Sequence, residues 1–263
     1  EVLLRAAPLE LLIMGGTAAG GFIIANPRPV IMRTLKSLKM LMAKPKYNKE
    51  SYIELLSMMY QVFKLAKTKG MLSLEQHLEN PNESTLFGEF TEFLGDEHAV
   101  EFFCDYLRLI TLGSDKAYEL EALMDEEIDT HHSETNAVVV ALQNIADGLP
   151  AIGIVAAVLG VIHTMGSITE PPEVLGRLIA GALVGTFMGV WLAYGYFGPM
   201  GQSIKQAMEA EAKYLQCMKL GLLAYLQGAA PSVAVEYARK TLLSEVRPTF
   251  AEVEEATQAL AAP

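Results

Sequence analysis

The sequence predicts an all-α integral membrane protein whose long transmembrane helices extend into a helical cytoplasmic domain. Three observations lead there. Apolar residues make up 51% of the 263 residues, and mean hydropathy is positive. They gather in three blocks, Pro8–Ala25, Leu149–Ile168 and Val174–Phe197, each close to the roughly 20 residues that cross a bilayer as a helix. The rest of the chain carries helical periodicity and no strand-like alternation. Three buried helices of a soluble core would also be apolar, but runs this long are better explained by lipid.

Charge orients the spans. The net charge is −11, yet 12 of the 20 Lys and Arg fall in Asn26–Gly148 and six in the tail from Met200. The turn Thr169–Glu173 has two Glu and no basic residue. The positive-inside rule counts basic residues, so it puts the long segment and the tail in the cytoplasm. The expected organisation is a transmembrane helix with a short external N-terminal segment over 1–25 and a cytoplasmic helical domain over 26–148. A second span over 149–168, a periplasmic turn over 169–173, a third span over 174–198 and a cytoplasmic helical tail over 199–263 complete it. Three spans leave the N-terminus outside, either because an earlier span precedes Glu1 or because the protein has three. The acidic excess argues against nucleic-acid binding. Cys104 and Cys217 fall in the cytoplasmic parts and read as reduced packing residues.

Within the first span, Gly16 and Gly20 form a small-xxx-small pair that lets another helix approach closely. Glu10 is expected near the outer end, where a carboxylate reaches water. Asn26-Pro27-Arg28-Pro29 stops the helix. Val30–Lys46 interleaves Leu35, Leu38 and Leu41 with Arg33, Lys36, Lys39, Lys44 and Lys46, and reads as a basic amphipathic helix on the inner membrane surface. In Glu50–Lys69, Tyr52, Leu56, Met59 and Phe63 share one helical face, and Gly70 is placed as its C-cap. Ser73–Glu79 and Asp96–Leu112 are further helices. Asp115–Asp147 has no Gly or Pro and is expected to run on into the second span, as Ser203–Gln227 continues the third.

No Gly-Lys-Ser/Thr phosphate loop and no nucleophile elbow are present, so no catalytic residue is expected. Glu127 and His131 stand four apart on a helix, but the compact ligand set of a zinc motif is missing, so neither a metal site nor a cofactor is expected. In the third span, Gly181, Gly185, Gly189 and Ala193 make a smooth ridge, matched by Gly153, Ala157 and Gly160 in the second. The ridges either pack on each other or face a helix that moves against them. Thr186 either bonds back to its own helix or lines an ion path. Pro150 and Pro199 either punctuate helices or act as hinges. His163, towards the outer end of its span, reads as a packing residue. No acid is expected in the middle of a span, so ion conduction would need a partner's carboxylate.

At these residues the sequence resembles the MotA family of flagellar stator subunits, within the MotA/TolQ/ExbB proton channel superfamily. Glu121 to Ile128 reads Glu-Ala-Leu-Met-Asp-Glu-Glu-Ile, and Leu149 to His163 reads Leu-Pro-Ala-Ile-Gly-Ile-Val-Ala-Ala-Val-Leu-Gly-Val-Ile-His. Val184 to Gly189 (Val-Gly-Thr-Phe-Met-Gly), Leu192 to Gly195 (Leu-Ala-Tyr-Gly) and Val235 to Leu242 (Val-Glu-Tyr-Ala-Arg-Lys-Thr-Leu) continue the match. The family has four spans, one more than is legible here. The resemblance implies a multi-pass protein of the bacterial inner membrane that converts ion flow into flagellar rotation and serves chemotaxis. It implies a homopentamer around a MotB-type dimer, whose transmembrane Asp binds the ion near Thr186, Pro150 and Pro199. It further implies contact with the rotor protein FliG through Lys67 and Glu75, with Lys69 able to share the role. Sodium-type relatives carry Thr where Ala157 stands, which implies protons as the transported ion. A TolQ/ExbB-type subunit energising envelope processes is the alternative.

Overall fold

Every regular element among the described residues of the computed structural model, 2–42 and 45–260, is helical. Glu1 and Lys44, both used above, lie outside them. In order, the helices are α1 (Val2–Ala25), α2 (Arg28–Ser37), α3 (Lys49–Lys69), α4 (Glu75–Glu79), α5 (Thr91–Leu94), α6 (Glu97–Thr111), α7 (Ala117–Met165), α8 (Pro172–Leu192), α9 (Gly198–Leu226), α10 (Pro231–Lys240) and α11 (Phe250–Ala259). The chain forms two compact units, one from Glu1–Lys44 and Ser133–Ala207, the other from Pro45–His132 and Met208–Pro263. Residues of α7 and α9 belong to both.

In the first unit, α7 and α8 are long and apolar enough to cross a bilayer, and the described apolar part of α1, Glu10–Ala25, is shorter. Met14, Leu149, Ala156, Val184 and Met188 form a buried cluster. Outside it large apolar side chains stand exposed, among them Ile154 at 55%, Leu183 at 61% and Phe187 at 53%. Helices of a soluble core would hide these groups, and a contiguous apolar surface of this kind fits lipid or a partner. Helix α1 begins six residues before Pro8, which sits inside it. One proline removes one backbone hydrogen bond without ending a helix held by its neighbours.

The basic stretch is not one helix. Helix α2 ends at Ser37 and tightens into a 3₁₀ turn over Leu38–Met42. Arg33 of α2 pairs with Glu134 of α7 at 2.9 Å, both partners half exposed.

The second unit has a soluble-type core in which Tyr52, Leu55 and Phe63 of α3 join Phe103 of α6, Met218 of α9 and Ala238 of α10. Asn48 and Ser51 cap α3 reciprocally, and Gly70 ends it with φ of +88°, a conformation L side chains rarely adopt. Two of the runs quoted above are tied down by charge. Buried Lys219 of α9 reaches Asp125 of α7 at 2.5 Å. Buried Arg239 donates to Glu236 at 2.6 Å and to the Pro248 carbonyl at 2.8 Å. Cys104 and Cys217 are both buried, and burial pushes each thiol up to about 12.

Candidate functional site

Two apolar helices of the first unit, α7 and α8, meet backbone to backbone. A Cβ on Gly153 of α7 would stand 2.7 Å from the Gly185 carbonyl oxygen and 3.2 Å from Gly189 Cα, both of α8. One on Gly189 would stand 2.7 Å from the Leu149 carbonyl oxygen, immediately before Pro150. One on Gly160 would stand 2.6 Å from Ala182 Cβ. Only hydrogen fits at these positions, so the two glycine ridges pack on each other and do not form a free track. Gly16 and Gly20 of α1 differ, since nothing among the described residues lies within 4 Å of a Cβ built there.

Helix α1 closes over the same place with a carboxylate. A Cβ on Gly185 would meet Glu10 Oε2 at 2.9 Å, Ala156 Cβ at 3.1 Å and the Ala157 nitrogen at 3.3 Å. Glu10 is only 7% exposed, and its Oε2 has no hydrogen-bond partner among the described residues. Two expectations are thereby corrected: Glu10 does not reach water near a span end, and the chain has an acid inside its apolar helices. With α1 starting at Val2, Glu10 lies about 12 Å along the helix, a depth concealed when the span is taken to begin at Pro8.

This contact brings Glu10 and Ala157 to Gly185, and Thr186 is the next residue. Thr164 and Thr17 bond back to carbonyls of their own helices at 2.9 Å and 2.8 Å. Thr186, half-buried, makes no such bond among the described residues. Pro150 lies within unbroken α7. Pro199, exposed, follows a π-helical turn over Ala193–Phe197 and stands about 20 Å beyond Thr186 by helical rise. Proline leaves the carbonyl four residues earlier without its helical donor, and π turns recur at functional positions.

A second place lies in the other unit, where Lys67, Lys69 and Glu75 flank the bend between α3 and α4. All three are exposed. Gly70 holds the bend: its amide donates to the Ala66 carbonyl at 3.0 Å, and its own carbonyl accepts from the Ser73 amide at 3.1 Å. Lys67 and Glu75 form no ion pair among the described residues, which leaves opposite charges displayed on one rigid corner.

Glu127 and His131 do not work as a pair. Tyr106 donates to Glu127 Oε2 at 2.6 Å, while His131 turns to Glu211 of α9 and stacks on His98 of α6 with ring centroids 4.2 Å apart. Burial opposes charge on Glu211, yet contacts with His131 and His98 hold its carboxyl down to about 2. His98 is raised in turn, chiefly by the same carboxylate, against its own burial. Sequence spacing offered no signal for this cluster, because its three members come from three helices.

Comparison with known proteins gives a consistent outcome. Residues 1–70 match the family model described as motility protein A N-terminal, and residues 96–217 match that of the MotA/TolQ/ExbB proton channel family. Motility protein A of Salmonella typhimurium is 44% identical over 256 residues, covering 97% of this chain and 87% of that protein. Motility protein A of Escherichia coli is 45% identical over the same shares. Chemotaxis protein LafT of Vibrio parahaemolyticus is 32% identical over 94% of this chain and 87% of its own length. Two solved structures share the fold: the MotAB structure from C. jejuni, with a TM-score of 0.74 and 19% identity over 90% of this chain and 84% of that one, and the flagellar MotAB stator complex from Bacillus subtilis, at 0.71 and 24% over 95% and 88%.

Proposed function

This chain belongs to the motility protein A branch of the MotA/TolQ/ExbB proton channel family, and from that premise we infer that it works as a flagellar stator subunit coupling ion flow to torque. The observation that carries the reading is the identity to motility proteins across 97% of the chain. It takes in both the buried Glu10 contact and the charged corner at Gly70. A TolQ/ExbB-type role in envelope processes has no comparable support, since the motility protein A N-terminal model covers the very segment that bears Glu10 and Lys67.

The finer reading is as follows. Helices α1, α7 and α8 sit in the bacterial inner membrane as a multi-pass bundle, with the exposed Ile154, Leu183 and Phe187 facing lipid or neighbouring copies. Five copies surround a MotB-type dimer, whose transmembrane Asp carries the ion past Thr186. The ion is a proton: Ala157 offers no side-chain oxygen for a sodium shell, and Glu10 supplies a titratable group at that level. Pro150 and Pro199 act as hinges on the way out, Pro199 through its π turn. Lys67 and Glu75, with Lys69 beside them, press on FliG by charge complementarity.

Expressing the chain with a MotB-type partner in a non-motile stator mutant tests the reading. Swimming is expected to return, with a speed indifferent to external sodium at fixed proton-motive force. Normal membrane accumulation without rotation, in a strain whose rotor accepts related stators, would reject it. At the charged corner, the double reversal Lys67→Glu with Glu75→Lys is expected to reduce torque more than either neutral single change. Unaltered torque in the double variant would remove both residues from the rotor contact.

A further inference from the structure

The histidine and glutamate cluster of the second unit has the composition and spacing of a metal centre. His98 Nδ1 lies 3.4 Å from Glu211 Oε1, and His131 Nε2 lies 3.5 Å from the same oxygen. All three ligand atoms fall within 4.8 Å of one another. Charge-assisted hydrogen bonds are shorter, at about 2.7–2.9 Å. By contrast, ligands bonded at about 2.0–2.1 Å in a tetrahedron are about 3.3 Å apart. Both histidine–glutamate separations therefore match the edge of a tetrahedral site more closely than a hydrogen bond. The third edge, between the two histidine nitrogens, is no longer than 4.8 Å.

The surroundings favour a cation. Asp96 and Glu127 both add negative potential at His98. Neither competes as a ligand, because Asp96 is held by Lys46 at 2.9 Å and by Tyr47 at 2.8 Å, and Glu127 by Tyr106. The three side chains keep 20–31% of their surface exposed, while the ligand nitrogens His98 Nδ1 and His131 Nε2 are themselves buried. Two imidazoles and one carboxylate select late divalent transition metals over calcium or magnesium, which take oxygen shells.

We propose that His98, His131 and Glu211 form a binding site for a divalent cation of the zinc class, clamping α6, α7 and α9 together within this unit. The site is independent of the stator reading and of ion flow through the first unit.

The test uses the full chain purified with its partner in detergent, without a histidine tag and stripped with EDTA. Zinc is titrated against a chromophoric chelator, and Co(II) is added separately for its visible spectrum. The expected result is one zinc per chain and the intense absorption of four-coordinate cobalt. Outer-shell changes alone shift metal affinity by about 10–100-fold, so His98→Ala and Glu211→Gln are each expected to weaken zinc by about 100-fold or more. His132→Ala, at an exposed neighbouring position, is expected to leave it unchanged. Absence of stoichiometric zinc, or binding that survives both ligand variants, or an equal loss in His132→Ala, overturns the proposal. Should His98→Ala fail to assemble, a zinc-dependent rise in the melting temperature of the parent protein that EDTA reverses decides in favour, and no rise decides against.

Discussion

Gly153→Val is expected to abolish rotation. The first atom of the new side chain would stand 2.7 Å from the Gly185 carbonyl oxygen and 3.2 Å from Gly189 Cα. Both are backbone, so no side chain can swing aside to make room. Relief requires α7 and α8 to separate, at a cost of about 1–3 kcal/mol for ordinary overpacking and more where backbone must move. Separation would also draw Gly185 away from Ala157 and Glu10, dissolving the contact at which the proposed ion path is placed. The second unit has its own core and is expected to fold as before. Gly16→Ala serves as control for loss of a glycine as such, since nothing among the described residues lies within 4 Å of its Cβ position. Swimming speed and membrane accumulation, measured together, decide the matter: parental speed in Gly153→Val would mean that this backbone contact is dispensable.

Glu10→Leu is expected to raise thermal stability while rotation falls by more than half. The Glu10 carboxyl is almost wholly buried, with Oε2 unpartnered among the described residues. A buried polar group left unsatisfied costs about 1–3 kcal/mol, and leucine, which carries no polar side-chain atom, removes that cost. Retaining so unfavourable a group among apolar helices is understandable if it handles ions, as ionisable residues at membrane depth commonly do. Glu10→Gln separates the roles, because glutamine keeps the shape and polarity but cannot exchange a proton. Slowed rotation in both variants fits an ion-handling carboxyl; normal rotation in Glu10→Gln leaves Glu10 as a packing residue only.

Much of the fold was legible because helical periodicity and breakers act locally. Gly70 was placed as the end of α3 from its position after Lys69, and the structure gives it the positive φ that such an end requires. The lack of Gly and Pro from Asp115 to Asp147 likewise anticipated the long α7, which even Pro150 does not interrupt. What was not legible concerns which faces meet. Periodicity laid out both glycine ridges but left open whether they face each other, since that depends on the turn over residues 166–171 that joins α7 to α8. Glu10 was misplaced because Pro8 was read as a helix start, when a proline inside an otherwise supported helix is tolerated. His98 and Glu211 are 113 positions apart in the sequence, and only packing of α6 against α9 makes them neighbours. The sequence pattern pointed instead to Glu127, the partner that local spacing offers to His131.

The burial of both native thiols has a practical consequence for site-specific chemistry on this protein. With burial pushing both thiols up to about 12, far less of either is thiolate at neutral pH than the few per cent of an exposed cysteine. A cysteine introduced at Lys67 or Glu75 would therefore react with maleimide reagents far ahead of Cys104 and Cys217. Fluorophores or spin probes could then be attached to the charged corner of the wild-type background, with neither natural cysteine replaced.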